Sequence, residues 1–263
     1  GLLSIDIRDQ LTAIASGIAP ADEWRKYLGY FSHLMQAGTA DAPRAKLRIQ
    51  RRMHPDIAGV VATFYDRDLL THDEAQRNHG LQVLPFAGTA LVWLDTSGLG
   101  VNAHERNHAG LCNHSEAAVL KYYFRRQAGE VRRFEDDVAP LAVLSPYRGQ
   151  VRLLRERLGY DDSVVRTVDG FQGGQAEIVL VSLVRNNASD VPDKAIGFLR
   201  DPSRVNVMFS RARRLLVIVG NLAHFEQHGR GTFWDGVLGY VRGDRRYVFD
   251  VAANGFRFPE NRP

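Results

Sequence analysis

Lysine is nearly missing from this 263-residue chain: Lys26, Lys46, Lys121 and Lys194 are all there is, so thirty of the 34 basic residues are arginine. None of the four follows a glycine. The Gly-Lys-Ser/Thr ending that lets backbone amides and a lysine cradle nucleotide phosphates is therefore absent. The two Asp-Glu pairs, Asp22-Glu23 and Asp73-Glu74, follow no buried apolar strand and do not read as a magnesium-binding pair. Cys112 is the one cysteine, which excludes an internal disulfide, a zinc finger and an iron–sulfur cluster. No apolar run reaches the roughly 18 residues of a membrane span, and no basic-then-apolar leader opens the chain. These absences lead us to expect an intracellular, soluble protein, cytoplasmic or, in a eukaryote, nuclear. The start at Gly1 rather than Met reads as a chain processed or cut from a longer one.

What is present suits a folded α/β domain. The chain is 44% hydrophobic and 24% charged, enough for a core and too apolar for disorder, and its net charge of +4 permits a polyanionic partner without requiring one. Arginine's planar fork fits phosphate, although a genome rich in arginine codons would give the same composition. Leu91–Asp95, Leu141–Ser145, Val164–Thr167, Ile178–Val184 and Leu215–Gly220 are short, continuous, β-branched runs, as strands buried on both faces should be. Helices are expected over Asp22–Gln36, Ile57–Tyr65, Glu116–Ala128, Gly149–Leu158 and Ser203–Arg213. This alternation predicts a doubly wound, mostly parallel sheet, with function at the carboxyl ends of its strands. Three regions follow: a lead-in over 1–45, a main domain over 46–225, and a closing helix with a loose, basic, strand-containing tail over 226–263.

Four segments carry the chemistry: Gln50-Arg51-Arg52-Met53-His54-Pro55; Ser145-Pro146-Tyr147-Arg148-Gly149-Gln150; Thr167-Val168-Asp169-Gly170-Phe171-Gln172-Gly173-Gly174; and Gly197 through Arg204 to Ser210-Arg211-Ala212-Arg213. The third is a glycine-rich turn between buried strands, open to close approach by a ligand. The fourth puts Arg204, Arg211 and Arg213 on or beside one helix, with 204 and 211 sharing a face. An arginine held rigidly at a nucleotide cleft stabilises the charge on a transferring phosphoryl group.

In order and spacing, these segments resemble the later motifs of superfamily 1 helicases of the Upf type, in their second RecA-like domain. Gln50–Pro55 is similar to Q-Y-R-M-H-P, Asn113–Ala117 to N-x-x-E-A, Ser145–Gln150 to T-P-Y-x-x-Q, Thr167–Gly173 to T-V-D-x-F-Q-G, and Gly197–Asn221 to G-F-L-x-D-x-R-R-x-N-V-A-x-T-R-A-R running into I-V-G-N. The likeness covers about residues 45–225 and implies a RecA-like domain without its own phosphate loop. It implies that Arg52 and Arg211 reach the γ-phosphate of ATP, with Gln50, Arg51, Gly173, Gln175 and Arg204 nearby. It further implies that Pro146, Tyr147 and Arg148 lie along single-stranded DNA or RNA, while Thr167, Asp169 and Gln172 couple that track to the cleft. ATP and Mg2+ would bind with a first RecA-like domain in cis. This chain departs from the family at Arg51, usually tyrosine, at Gln175, usually glutamate, at Ser203, usually arginine, and at Ser210, usually threonine. Ser4–Leu11 faintly resembles the G-D-x-x-Q-L motif that ends the first domain.

Two alternatives stay open on the residues alone. His104, His108, Cys112 and His114 are spaced as zinc ligands could be, but Asn113–Ala117 already has a place in the family pattern, so no metal is expected. A naturally short, non-catalytic binding module with relic motifs would also carry these segments. The pair Arg52 and Arg211 favours the motor, and the isolated chain is expected to be inactive as an ATPase.

Overall fold

The computed structural model describes residues 48–65, 67, 69–72, 86–107, 110–124, 138–171, 173–243 and 247–256. The expected helix Asp22–Gln36, the Ser4–Leu11 segment and both Asp-Glu pairs lie outside them. Strands form where the sequence is apolar and β-branched: β1 Ile49–Gln50, β2 Leu70–Thr71, β3 Leu91–Asp95, β4 Ala139–Ser145, β5 Val165–Thr167, β6 Ala176–Ser182, β7 Ala212–Gly220 and β8 Val248–Asp250. β1 and β2 make a small parallel ribbon, while the other six form one sheet in the order β5-β4-β6-β7-β3-β8. Every pairing in that sheet is parallel.

Helices cover both faces, as a parallel sheet requires. On one side α1 Pro55–Ala62, α5 Pro202–Phe209, α6 Leu222–His228 and α7 Trp234–Gly243 bury Ile57, Phe209, Phe225 and Trp234 against Val179, Val181, Leu216 and Ile218. On the other, α2 His114–Phe124 and α3 Arg148–Leu158 bury Leu120 and Leu154 against Ile178, Leu180, Leu215 and Val217. The alternation along β6 and β7 is the period-two pattern of strands facing two cores. A short helix, α4 Pro192–Ile196, lies between β6 and α5.

The sequence expectations are corrected at three element ends. The helix expected over Ser203–Arg213 stops at Phe209, because the Ala176 N–H bonds the Arg211 carbonyl at 3.0 Å and pairing of β7 with β6 begins at Ala212. Arg211 and Arg213 therefore are not on that helix, and Arg204 and Arg211 share no helical face. The strand expected to reach Val184 ends at Ser182, since Val184 adopts a φ of 73° that no β-branched residue takes in a strand. The Arg185 N–H closes a tight turn onto the Leu183 carbonyl at 2.9 Å. Finally, Val248–Asp250, in the tail expected to be loose but strand-containing, is a strand held at the edge of the sheet beside β3.

At the start of α3 the backbone of Gly110 and Leu111 approaches so closely that a Cβ on Gly149 would lie 2.6–2.7 Å from it. Gly149→Ala gains about 1 kcal/mol of helix propensity. Overpacking against backbone costs more, so we expect a net loss of about 2 kcal/mol in urea unfolding. An unchanged midpoint would contradict this packing.

Candidate functional site

The candidate residues gather at both ends of the sheet, not only at the carboxyl ends where the sequence places function. At the amino ends of β6 and β7 lie Arg52, Gly174, Gln175, Arg211 and Arg213. Arg52 Nη1 donates to the Ser210 carbonyl at 3.0 Å, bridging segments 158 positions apart in sequence. Arg211 Nε donates to the Val207 carbonyl at 3.0 Å in the last turn of α5, and Nη1 to the Gly174 carbonyl at 3.1 Å. The exposed carbonyls at a helix end favour a cation there. Burial, then the neighbouring Arg213 charge, lowers the pKa of Arg52; burial, then the Arg52 charge, lowers that of Arg211. Both remain charged, as guanidinium does in proteins. Lowered values mean that each cation is held partly away from water and close to like charge.

Local structure fixes Arg52. Gln50 Oε1 accepts from the N–H groups of Arg52 at 2.9 Å and Met53 at 2.7 Å. Its Nε2 donates to the Met53 carbonyl and Thr71 Oγ1, both at 3.0 Å. The whole Gln50 amide is thus engaged in shaping the turn that carries Arg52. The His54 N–H then bonds the Arg213 carbonyl at 2.7 Å, and the His54 ring caps α1 by accepting from the Asp56 N–H. Sequence reading missed Glu177. This buried carboxylate bridges Arg213 at 2.7 Å and Arg214 at 2.9 Å, beside the Arg52–Arg211 pair. A lone glutamate opening an apolar strand was the available signal. Arg51 and Gly173 are exposed and Gln175 is half-buried at the same end; Gln172 lies outside the described residues.

Arg204 is not brought to this cluster. It sits in the first turn of α5, its guanidinium 3.4 Å over the Phe198 ring and 3.4 Å from Asp201. Phe198 in turn packs on Tyr147 with the rings tilted by 57° and their centroids 6.2 Å apart. The Tyr147 hydroxyl is enclosed beside Arg185 and Gly197, and burial pushes its pKa up to about 12. Pro146, Tyr147 and Arg148 follow the carboxyl end of β4, level with Thr167 at the end of β5. Thr167 Oγ1 accepts from the Gly170 N–H at 3.2 Å, and Asp169 is exposed.

Beneath these loops lies a buried polar network. Glu116, fully buried, accepts from Ser182 Oγ at 2.6 Å and from the strained Val184 N–H at 2.9 Å. Gln150 Nε2 donates to Ser182 Oγ at 2.8 Å, while Gln150 Oε1 accepts from the Asn113 N–H at 2.7 Å. Asn113 caps α2 by accepting from the N–H groups of Ser115 and Glu116, and donates to the Val184 carbonyl at 3.0 Å. Asn113, Glu116 and Gln150 are thus framework groups, locking two helices to the end of β6. Beside them Arg185, nearly buried, pairs with Glu105 at 3.0 Å. Among the described residues no group of three His, Cys, Asp or Glu side chains could hold a metal ion, and His108 lies outside them.

Comparison with known proteins bears on this arrangement. A family model described as "AAA domain" matches residues 28–223. The DNA polymerase alpha-associated DNA helicase A of Saccharomyces cerevisiae is 34% identical over 146 residues, covering 53% of this chain and 20% of that protein. The Regulator of nonsense transcripts 1 homolog of Drosophila melanogaster is 27% identical over 222 residues, 81% of this chain and 18% of that protein. The DNA-binding protein SMUBP-2 of Rattus norvegicus is 29% identical over 188 residues, 66% of this chain and 18% of that protein. The chain spans about a fifth of the length of these relatives.

Burial pushes the Glu116 pKa up to about 8, against the pull of its Ser182 and Val184 hydrogen bonds. A folded-state pKa above the unfolded value gives stability that is lost as pH rises through the folded pKa. His224 has the opposite sign: burial pulls it down to about 4, so its contribution is lost on acidification below its ordinary value of 6.5. From about pH 6.5 to 8.5 the urea midpoint is therefore expected to fall, and Glu116→Gln to flatten that fall. A wild-type slope in the variant would show that Glu116 is already ionised at neutral pH.

Proposed function

Since this chain belongs to the AAA domain family, as the second RecA-like domain of superfamily 1 helicases of the Upf type, we propose that it is the arginine-finger half of an ATP-driven motor on single-stranded nucleic acid. The observation that carries the reading is that Arg52, held on the Ser210 carbonyl, lies close enough to Arg211, held on the Val207 and Gly174 carbonyls, for the charge of Arg52 to depress the pKa of Arg211. Two half-buried guanidiniums held on backbone carbonyls favour an incoming polyanion that relieves their mutual repulsion. A γ-phosphoryl group brought there by a first domain gains charge on its equatorial oxygens during transfer, and the two forks face that charge without reorganising. Gln50 and Glu177 are positioning residues in this scheme: one shapes the turn of Arg52, the other occupies Arg213 and Arg214. Arg51, Gly173 and Gln175 border the same edge, while Arg204 serves the opposite end.

ATP is the substrate, and its phosphate loop belongs to the first domain in cis. Mg2+ would be held with the ATP phosphates at the first domain, and no step through the ion is assigned to this chain. The carboxyl-end loops supply the strand-facing half: Pro146, Tyr147 and Arg148 along the backbone, with Thr167, Asp169 and Gln172 in the segment that links the two ends. That segment leaves β5 at the nucleic-acid end and delivers the Gly174 carbonyl, the acceptor of Arg211, at the other. A shift of the strand thus reaches the finger through a few covalently joined residues. Such a motor would act inside the cell, where ATP and single strands occur together.

In the protein carrying both domains, Arg211→Ala and Arg52→Ala are each expected to lower ATP turnover by about a thousandfold or more while nucleotide binding stays within a fewfold. Wild-type turnover in Arg211→Ala would refute the finger assignment. The chain alone should bind single strands weakly and with strong salt dependence, and should hydrolyse no ATP.

A further inference from the structure

A second basic feature lies on the other helical layer, outside the residues assigned above. An antiparallel bridge joins Arg106 and Cys112 through backbone bonds of 2.7 and 2.9 Å, and we call this bridged pair, with the described residues beside it, the hairpin. That hairpin rests on the first turns of α3 through the Gly110–Gly149 backbone contact. Its base is fixed by the paired bonds between Asn113 and Gln150. Between hairpin and helix runs a groove of about 190 Å³ lined by Arg106, Cys112, His114, Arg152 and Glu156, among others.

The groove is electropositive by the response of its own groups. Arg106 and Arg152 both pull the Cys112 thiol toward ionisation, although burial is the larger influence and raises its pKa. His114 is driven down by burial first and then by Arg106 and Arg157, with Glu156 alone opposing. One arginine stands on each wall, and Glu156 is the single acidic side chain among the lining residues. Two forks across a rigid slot of this size suit one tetrahedral anion. The slot is also continuous with the strand-facing loops, because Arg152 lies one helical turn from Arg148, which follows Tyr147. An acidic peptide would need spaced carboxylates; a nucleic-acid strand already passing Arg148 presents its next phosphates along the same helix.

We propose that the hairpin–α3 groove is a phosphate subsite for the single-stranded backbone, extending the track beyond Tyr147 and Arg148 by one phosphate held between Arg106 and Arg152. The proposal rests on the nucleic-acid reading above. It tests on the 263-residue chain by fluorescence anisotropy with labelled oligothymidylate and oligouridylate over a salt series. Arg106→Gln together with Arg152→Gln should weaken binding about tenfold and reduce the log–log salt slope by about 0.7, the share of the one phosphate held between them. Arg230→Gln, between α6 and α7 on the opposite face, should leave both unchanged. Cys112, the only thiol, reports the groove directly: saturating oligonucleotide should slow its alkylation by iodoacetamide several-fold.

Unchanged affinity and slope in the double variant, with an unprotected Cys112, would overturn the subsite and leave the nucleic-acid reading standing. An equal loss in Arg230→Gln would reduce the effect to general charge and overturn it too. Equal protection of Cys112 by polyglutamate would assign the groove to an acidic protein partner and likewise overturn it. Absence of any strand binding by the wild-type chain would remove both readings, and that arm alone distinguishes the two failures.

Discussion

Strand β6 is the member that ties the candidate groups at one end of the sheet to those at the other. It is buried on both faces and paired on both edges, so it has no freedom to slide without flipping its side chains between two cores. At its amino end the Ala176 N–H holds the Arg211 carbonyl, and Glu177 holds Arg213 and Arg214. At its carboxyl end Ser182 bonds both Glu116 and Gln150. The strand is therefore a fixed spacer of about 20 Å between a cationic end and a polar, loop-rich end.

That spacing would let one domain serve the two anionic ligands proposed for it, one at each end. The amino end presents guanidiniums seated on carbonyls of α5 and of the β5–β6 connection, suited to a compact phosphoryl group. The carboxyl end presents Pro146, Tyr147, Arg148 and Thr167 over a network too rigid to move independently of β6. Val184 marks the rigidity: its left-handed backbone is unfavourable for a β-branched residue and persists because Glu116 accepts its N–H and Asn113 donates to its carbonyl. In the proposed motor the glycine-rich link from Thr167 to Gly174 would be a route of conformational change between the ends. Its glycines accept altered backbone angles at little steric cost.

Much of this was legible in the sequence. The five apolar runs correspond to β3, β4, β5, β6 and β7, because buried parallel strands need continuous β-branched stretches. The four motif segments were legible as well, since each combines residue types that local structure alone rarely asks for. What the sequence concealed were facts about the third dimension. The end of α5 at Phe209 is set by a hydrogen bond from Ala176, more than thirty positions upstream, so helical spacing wrongly joined Arg204 to Arg211. Glu177 looks like a stray charge until Arg213 and Arg214 are seen beside it on the next strand. The general rule that function sits at strand carboxyl ends covers only half of this domain. It misses the arginines because they are carried by residues entering the sheet.

The central claim is that Arg52 and Arg211 act together on one phosphoryl group. Its most direct test is a double-mutant cycle on steady-state ATP turnover, in the protein that joins this domain to a phosphate-loop partner, using Arg52→Ala, Arg211→Ala and the pair. If both forks hold the same transferring group, either substitution alone removes most of the acceleration and the double variant is little worse than the singles. Losses that multiply independently, or a double variant with wild-type turnover, would contradict the account.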